Sequence, residues 1–269
     1  MGAHEGKVAI VTGAASGIGR AAAERIVAEG GSVVAVDRDG DAMAWALDGA
    51  RIAVLVGDVT DAELNDQAIA LAVERFGRLD ASVLNAGIPM SGDILTMPMD
   101  ELRRVLDVNV AAVVLGIRSA VPAMRRVGGG SIVVTASTSG LAGDPGMWPY
   151  NTSKGAVVNL VRAAALDLGA DAIRVNAVCP GPTETGMTSR LQALPEVHEN
   201  LRRRIALQRW GQPSEIAAVI SFLASADASF VTGAVVPVDG GITASTGQFL
   251  PRETAGTPPP GTPRREDTP

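Results

Sequence analysis

The chain has 269 residues, 46% of them hydrophobic but only 3% aromatic, and a formal net charge of −6. That length suits one α/β domain with a core of Val, Ala, Leu and Ile, and the acidic balance argues against a nucleic-acid-binding surface. Cys179 is the single cysteine, so an intramolecular disulfide framework is excluded; at the end of an apolar strand before Pro180 it is expected as a small buried side chain.

The first apolar run, 7–12, has strand length and leads into Gly13-Ala14-Ala15-Ser16-Gly17-Ile18-Gly19 and an Ala-rich helix over 17–29. Strand, glycine turn and helix form the context in which glycines let a backbone approach a pyrophosphate at a helix N-terminus. A second strand, 32–37, ends in Asp37, whose carboxylate is placed to bind ribose hydroxyls and to repel a 2′-phosphate. Further strands are predicted at 51–57, 79–84, 131–136, 173–179 and 234–238, and helices at 40–48, 61–76, 98–126, 150–169 and 213–225. This alternation predicts a single-domain, Rossmann-like, doubly wound parallel α/β sheet of about seven strands over residues 1–250, with helices on both faces. Gly13, Asp37, Asp58, Asn85, Ser137 and Pro180 all fall at carboxyl ends of strands, where ligands of such sheets bind.

Residues 183–212 form a long connection beside that edge and read as a lid over substrate. Residues 251–269 hold Pro258-Pro259-Pro260 among Gly, Thr and charges and read as a disordered tail. No secretory leader is expected, and no 18-residue apolar segment to cross a membrane, so the cytoplasm is the expected compartment. Arg202-Arg203-Arg204 reads as a solvated helix face. His4 and His198 are expected on the surface, and no metal site is expected.

Tyr150, the only tyrosine, stands four residues before Lys154. On a helix these positions share a face, and a nearby ammonium could lower the phenol's pKa of about 10 by roughly 1–3 units. Thr12-Gly13-x-x-x-Gly17-x-Gly19, Asn85-Ala86-Gly87, Asn109, Ser137, Tyr150-x-x-x-Lys154 and Pro180-Gly181 resemble, in order and spacing, the short-chain dehydrogenase/reductase family over residues 5 to about 245.

The resemblance implies hydride transfer between a nicotinamide and a carbonyl or secondary alcohol. It assigns Tyr150 as general acid or base and Lys154 to the nicotinamide ribose. Ser137 then holds the substrate oxygen, and Asn109 holds a relay water. It implies cofactor contacts from Gly13, Ser16, Gly17, Ile18, Gly19, Asp37, Arg38, Asp58, Val59, Asn85, Ala86, Gly87, Tyr150, Lys154, Pro180, Gly181, Thr183 and Thr185. Asp37 and Ser16 favour NAD over NADP, although Arg38 could meet a 2′-phosphate. Met147, Trp148 and Met187 join Ser137 and Tyr150 as substrate contacts, with Ser91, Gly92, Ile94 and Gly140 nearby, and suggest an apolar ketone or alcohol. A 3-oxoacyl-(acyl-carrier-protein or CoA) reductase is the runner-up. Such relatives carry arginines at positions aligned with Ser131 and Asp171, where this chain has a serine and an acid. A catalytically inactive dinucleotide sensor is the remaining alternative. A homotetramer is the expected assembly.

Overall fold

The computed structural model describes residues 2–46 and 49–251. Strands β1 (Val8–Thr12), β2 (Ser32–Asp37), β3 (Ile52–Val56), β4 (Ala81–Leu84), β5 (Gly130–Thr135), β6 (Ile173–Pro180) and β7 (Val235–Val238) form one parallel sheet in the order β3-β2-β1-β4-β5-β6-β7. The order reverses between β1 and β4, so the loops leaving these two strands diverge and open a crevice. In β1, Val8 and Ile10 enter one core layer while Ala9 and Val11 enter the other, the period-2 alternation of a strand covered on both faces.

One layer is closed by α2 (Ala62–Phe76), α4 (Ala112–Arg126) and α5 (Trp148–Leu168), the other by α1 (Gly17–Ala28) and α8 (Pro213–Ala224). Ile216, Ala217, Ile220 and Leu223 line the buried stripe of α8, each aliphatic side chain among them contributing about 1.5–3 kcal/mol on burial. Small residues on α1, Ala22 and Ala23, bring that helix close to the sheet. Cys179 is fully buried, as expected.

Three predicted elements differ in detail. The helix expected over 40–48 is a 3-10 helix at Asp41–Ala46, and residues 47–48 lie outside the described residues. The helix expected over 98–126 is three pieces: α3 (Met99–Leu106), a π-helical segment at Asp107–Ala111, and α4. Together they are long and apolar enough, by length and composition, to cross a membrane, contrary to expectation; the few charges had hidden the run. Val113, Ile117, Ala120, Val121 and Met124 of this helix pack into the core under the sheet. The connection 183–212 contains a 3-10 turn at Gly186–Thr188, α6 (Ser189–Gln192) and α7 (Pro195–Arg204), and a bridge between Thr183 and Gly211 closes its base. Of the tail 251–269, all but Pro251 lies outside the described residues.

Neither histidine is a simple surface residue. His198 is half-buried and stacks on buried Trp210 with ring centroids 5.0 Å apart. His4 is 2% exposed, with Nε2 2.9 Å from Ser221 Oγ on α8 and 3.6 Å from the Glu29 carboxylate after α1; Ser221 in turn donates to Glu29. Burial disfavours the imidazolium and holds the His4 pKa below 6.5, with Arg25 acting the same way and Glu29, Ser221 and Asp227 opposing. A depressed folded-state value means that this stabilisation is complete above the unfolded pKa and is lost as pH falls. Calorimetric melting at stepped pH should show the wild type losing stability below about pH 6.5, and His4→Gln should flatten that part of the profile.

Candidate active site

The crevice between the ends of β1 and β4 is held by side chains of both strands. Thr12 Oγ1 accepts from the backbone N–H of Asn85 (2.9 Å) and Ala86 (3.1 Å). Asn85 Nδ2 donates back to the Thr12 carbonyl at 3.1 Å, and Asn85 Oδ1 accepts from Thr135 Oγ1 at 3.1 Å. Asn85 therefore ties β1, β4 and β5 together at their carboxyl ends. Thr12 and Thr135 were not among the predicted site residues; a hydroxyl ending each of β1 and β5, the strands that flank β4, is the sequence trace of this arrangement.

Gly13 has φ +68° and Gly17 φ +54°, conformations that favour glycine. A Cβ at Gly19 would lie 2.1 Å from the Gly13 carbonyl oxygen, so the helix start presses directly on the turn. Trp45, also missed, supports the turn from outside: its Nε1 donates to the Ala14 carbonyl at 3.2 Å, and the Arg20 guanidinium lies 5.3 Å from its ring centroid. Ser16 occupies the N-cap of α1 with no side-chain bond to that helix, and Ile18 packs on the core.

At the end of β2, Asp37 Oδ2 accepts from Ala15 N (2.9 Å) and Oδ1 from Asp39 N (3.1 Å), fixing the carboxylate beside the turn. Arg38 is exposed, and its charge acts on Asp58, whose carboxylate also accepts from the N–H and hydroxyl of Thr60. These contacts hold the Asp58 pKa below its ordinary value, the Thr60 N–H contributing most. Val59 packs against the core. Across the crevice, a Cβ at Gly17 would touch the Thr185 methyl at 3.3 Å. Thr183 is buried and donates to the Gly181 carbonyl at 2.9 Å, while Gly181 packs on Asp239 after β7 and Pro180 ends β6. The turn after β6 thus meets the glycine turn after β1.

On the other side of the crevice, Lys154 is 4% exposed and donates from Nζ to the Thr135 carbonyl at 2.8 Å. Asn109 is fully buried in the π-helical segment. Its Oδ1 accepts from Ile88 N (2.8 Å) and its Nδ2 donates to Ile88 O (3.0 Å) and Ser153 Oγ (3.0 Å). Gly87 fits between them: a Cβ there would be 3.2 Å from Asn109 Oδ1 and 3.4 Å from Lys154 Nζ. Ser137 is 8% exposed; its Oγ accepts from Ser139 N at 3.1 Å, and it lies close enough to the Tyr150 phenol to favour its ionised form.

The expected acidification of Tyr150 by Lys154 is not the net result. Burial pushes the phenol above its ordinary 10.0; Ser137 opposes this, and Asp144 and Cys179 add to it. Burial likewise pushes Lys154 down to about 8. The ammonium faces the Thr135 carbonyl and sits 5.8 Å from the Tyr150 ring centroid, so both groups lose more from leaving water than they gain from each other.

Met147 and Trp148 are half-buried at the start of α5, and Met187 is 49% exposed beside α6. Ile94 and Leu95 add exposed apolar surface on the loop after β4. Ser91 and Gly92 lie on that same loop, where Gly92 N donates to the Gly146 carbonyl at 2.9 Å. Gly140 packs closely on α5: a Cβ there would be 2.6 Å from the Lys154 carbonyl oxygen.

Residues 13–243 match the family described as Enoyl-(Acyl carrier protein) reductase. The chain is 43% identical to meso-2,3-butanediol dehydrogenase of Serratia marcescens over 247 residues, covering 91% of this chain and 97% of that one. The chain belongs to the short-chain dehydrogenase/reductase family. It is also 38% identical to a 3-oxoacyl-[acyl-carrier-protein] reductase of Thermotoga maritima, covering 88% of this chain and 98% of that one. Among solved structures, levodione reductase superposes with a TM-score of 0.84 at 34% identity, covering 90% of this chain and 99% of that one. Like its dehydrogenase relatives, this short-chain dehydrogenase/reductase is an oxidoreductase that acts on CH–OH groups and uses a nicotinamide cofactor.

The residues present fit such a cofactor. Cβ atoms at Gly13 and Gly19 would fill the cradle beside Asn85, and Asp37 is fixed at the next strand end. Gly19→Ala tests this cradle. The added methyl must displace backbone, so dinucleotide affinity measured by calorimetric titration should fall by at least roughly tenfold, about 1.4 kcal/mol, with the far-ultraviolet dichroism unchanged.

Proposed function

We propose that this family member is an NAD-dependent dehydrogenase/reductase for small, largely apolar secondary alcohols and ketones, with Ser137, Tyr150, Lys154 and Asn109 as its catalytic set. One juxtaposition carries this reading: buried Lys154, held by the Thr135 carbonyl, lies 5.8 Å from the Tyr150 ring centroid, with Ser137 close enough to act on the same phenol. A bound nicotinamide would supply or accept the hydride. Tyr150 Oη would give its proton to the developing alkoxide, or take one from an alcohol. Ser137 Oγ already accepts from Ser139 N, which leaves its own proton to donate to the substrate oxygen. Lys154 would bind the ribose on the side Gly87 keeps clear, and Asn109 would support the proton path beside it. Residues 183–212 would close over the substrate, with Met147, Trp148 and Met187 as apolar contacts.

Asp37 supports NAD over NADP, since a fixed carboxylate at the ribose position repels a 2′-phosphate. The exposed Arg38 lies within electrostatic reach of Asp58, which partly offsets its charge. The resemblance to a 3-oxoacyl-[acyl-carrier-protein] reductase favours a second reading, carrier-linked reduction. Against it, Ser131 is buried and bonded to the Leu223 carbonyl, and Asp171 neutralises Arg125 at 2.6 Å, so neither offers a basic docking point. We further propose a homotetramer, supported by the exposed Leu166 on α5, and a cytoplasmic location, supported by the single buried cysteine.

With NADH and a panel of small ketones, Tyr150→Phe should lower kcat by about 10²- to 10⁴-fold while leaving dinucleotide binding intact. Unchanged turnover would remove Tyr150 from the mechanism. Asp37→Ser should raise kcat/KM for NADPH relative to NADH by roughly tenfold or more; an unchanged ratio would remove the basis for choosing NAD.

A further inference from the structure

Between Arg126 and Lys154 the chain carries one formally charged side chain, Asp144, and it sits in the loop that joins Ser137 to Tyr150. The loop after β4, residues 86–98, likewise has no Lys, Arg or His and a single acid, Asp93. Asp93 is engaged in its own turn, accepting from the N–H groups of Leu95 and Thr96 and the Thr96 hydroxyl.

Asp144 is exposed yet anchored. Its Oδ2 accepts from the Ser139 hydroxyl at 2.5 Å, and Ser139 is itself buried, its N–H donating to Ser137 Oγ. The Asp144 main-chain carbonyl accepts from Asn151 Nδ2 (3.0 Å) and Met147 N (3.2 Å). Two residues on, the Gly146 carbonyl is held by Gly92 N, which joins the two loops across the mouth. Ser139 thus connects the carboxylate to the serine of the proposed catalytic set through consecutive hydrogen bonds, and Asn151 ties it to the first turn of α5, next to Tyr150.

We infer that Asp144 is a specificity-determining residue that restricts this site to uncharged carbonyl and alcohol substrates and rejects carboxylates and phosphates of the same size. The inference rests on the oxidoreductase reading above and names the charge class of its substrate. An immobilised carboxylate costs a neutral ketone nothing, whereas an anionic ketone bound at Tyr150 meets a fixed like charge. Glu184, Arg190 and Glu196 stand farther along the chain, in the 183–212 connection. Asp144 and Cys179 disfavour the Tyr150 phenolate, Ser137 favours it, and the Lys154 ammonium lies 5.8 Å from the ring centroid.

Asp144→Asn keeps an acceptor for Ser139 and removes only the charge. The test compares wild type and variant, each with NADH, on acetoacetate and on its ethyl ester, an anion and a neutral ketone of the same core. The ester-to-acid ratio of kcat/KM should fall by roughly tenfold in the variant, and a ratio unchanged within about twofold would overturn the inference. Tyr150 is the only tyrosine, so ultraviolet difference absorbance of its phenolate titrates this one group without any substrate. Removing the Asp144 charge should shift that titration to lower pH, which a merely structural role would not produce. A wild type that reduced neither compound would count against the ketone-reductase reading; the phenolate titration would then decide alone, an unshifted curve overturning the inference.

Discussion

The chain of hydrogen bonds from Thr12 through Asn85 and Thr135 to Lys154 is the constraint around which the site is built. Each link joins the carboxyl end of one strand to the next element, so the glycine turn after β1, the loop after β4 and the lysine on α5 share one rigid base. A sheet in which β1 and β4 are neighbours makes this possible. Without side-chain bridges, the loops at the point of reversal would diverge with nothing to set their spacing. Thr135 contributes twice, with its hydroxyl to Asn85 and its carbonyl to Lys154, and thereby couples the dinucleotide cradle to the residues around Tyr150.

Burial and charge oppose each other here. Desolvation raises the Tyr150 pKa and lowers that of Lys154, so in the protein alone both groups are biased towards their neutral forms. That bias is the opposite of what the spacing of the pair alone suggests. It follows from packing Lys154 beneath the turn at Ser137–Gly140 with a carbonyl rather than a carboxylate as its partner. A buried lysine with a neutral acceptor can release its proton at modest cost, a property suited to passing protons rather than storing charge.

Most of the fold was legible in the sequence because parallel strands covered on both faces are nearly continuous apolar runs, separated by helices of regular periodicity. The glycine turn, Asp37, Ser137 and the Tyr150–Lys154 pair could be read from order and spacing. What could not be read depends on contacts between distant segments. His4 is buried by Ser221, more than two hundred residues away. The roles of Thr12 and Thr135 exist only once β1, β4 and β5 are side by side. The support that Trp45 gives the glycine turn depends on its indole reaching the Ala14 carbonyl, thirty-one residues earlier. Nothing in the sequence around Gly140 shows that α5 approaches closely enough to require a glycine there.

The widened turn at Asp107–Ala111 has a consequence for the helix that contains it. An α-helix advances about 100° per residue, and a π-turn takes up one extra residue without an extra turn, so α3 and α4 are wound out of phase. The apolar stripe that α4 lays under the sheet therefore does not continue along α3, whose Asp100, Glu101, Arg103 and Arg104 can face water. Asn109 stands where the phase changes and turns inward to grip Ile88. Restoring ordinary winding by removing one residue would realign the two stripes at the expense of the loop that Asn109 secures.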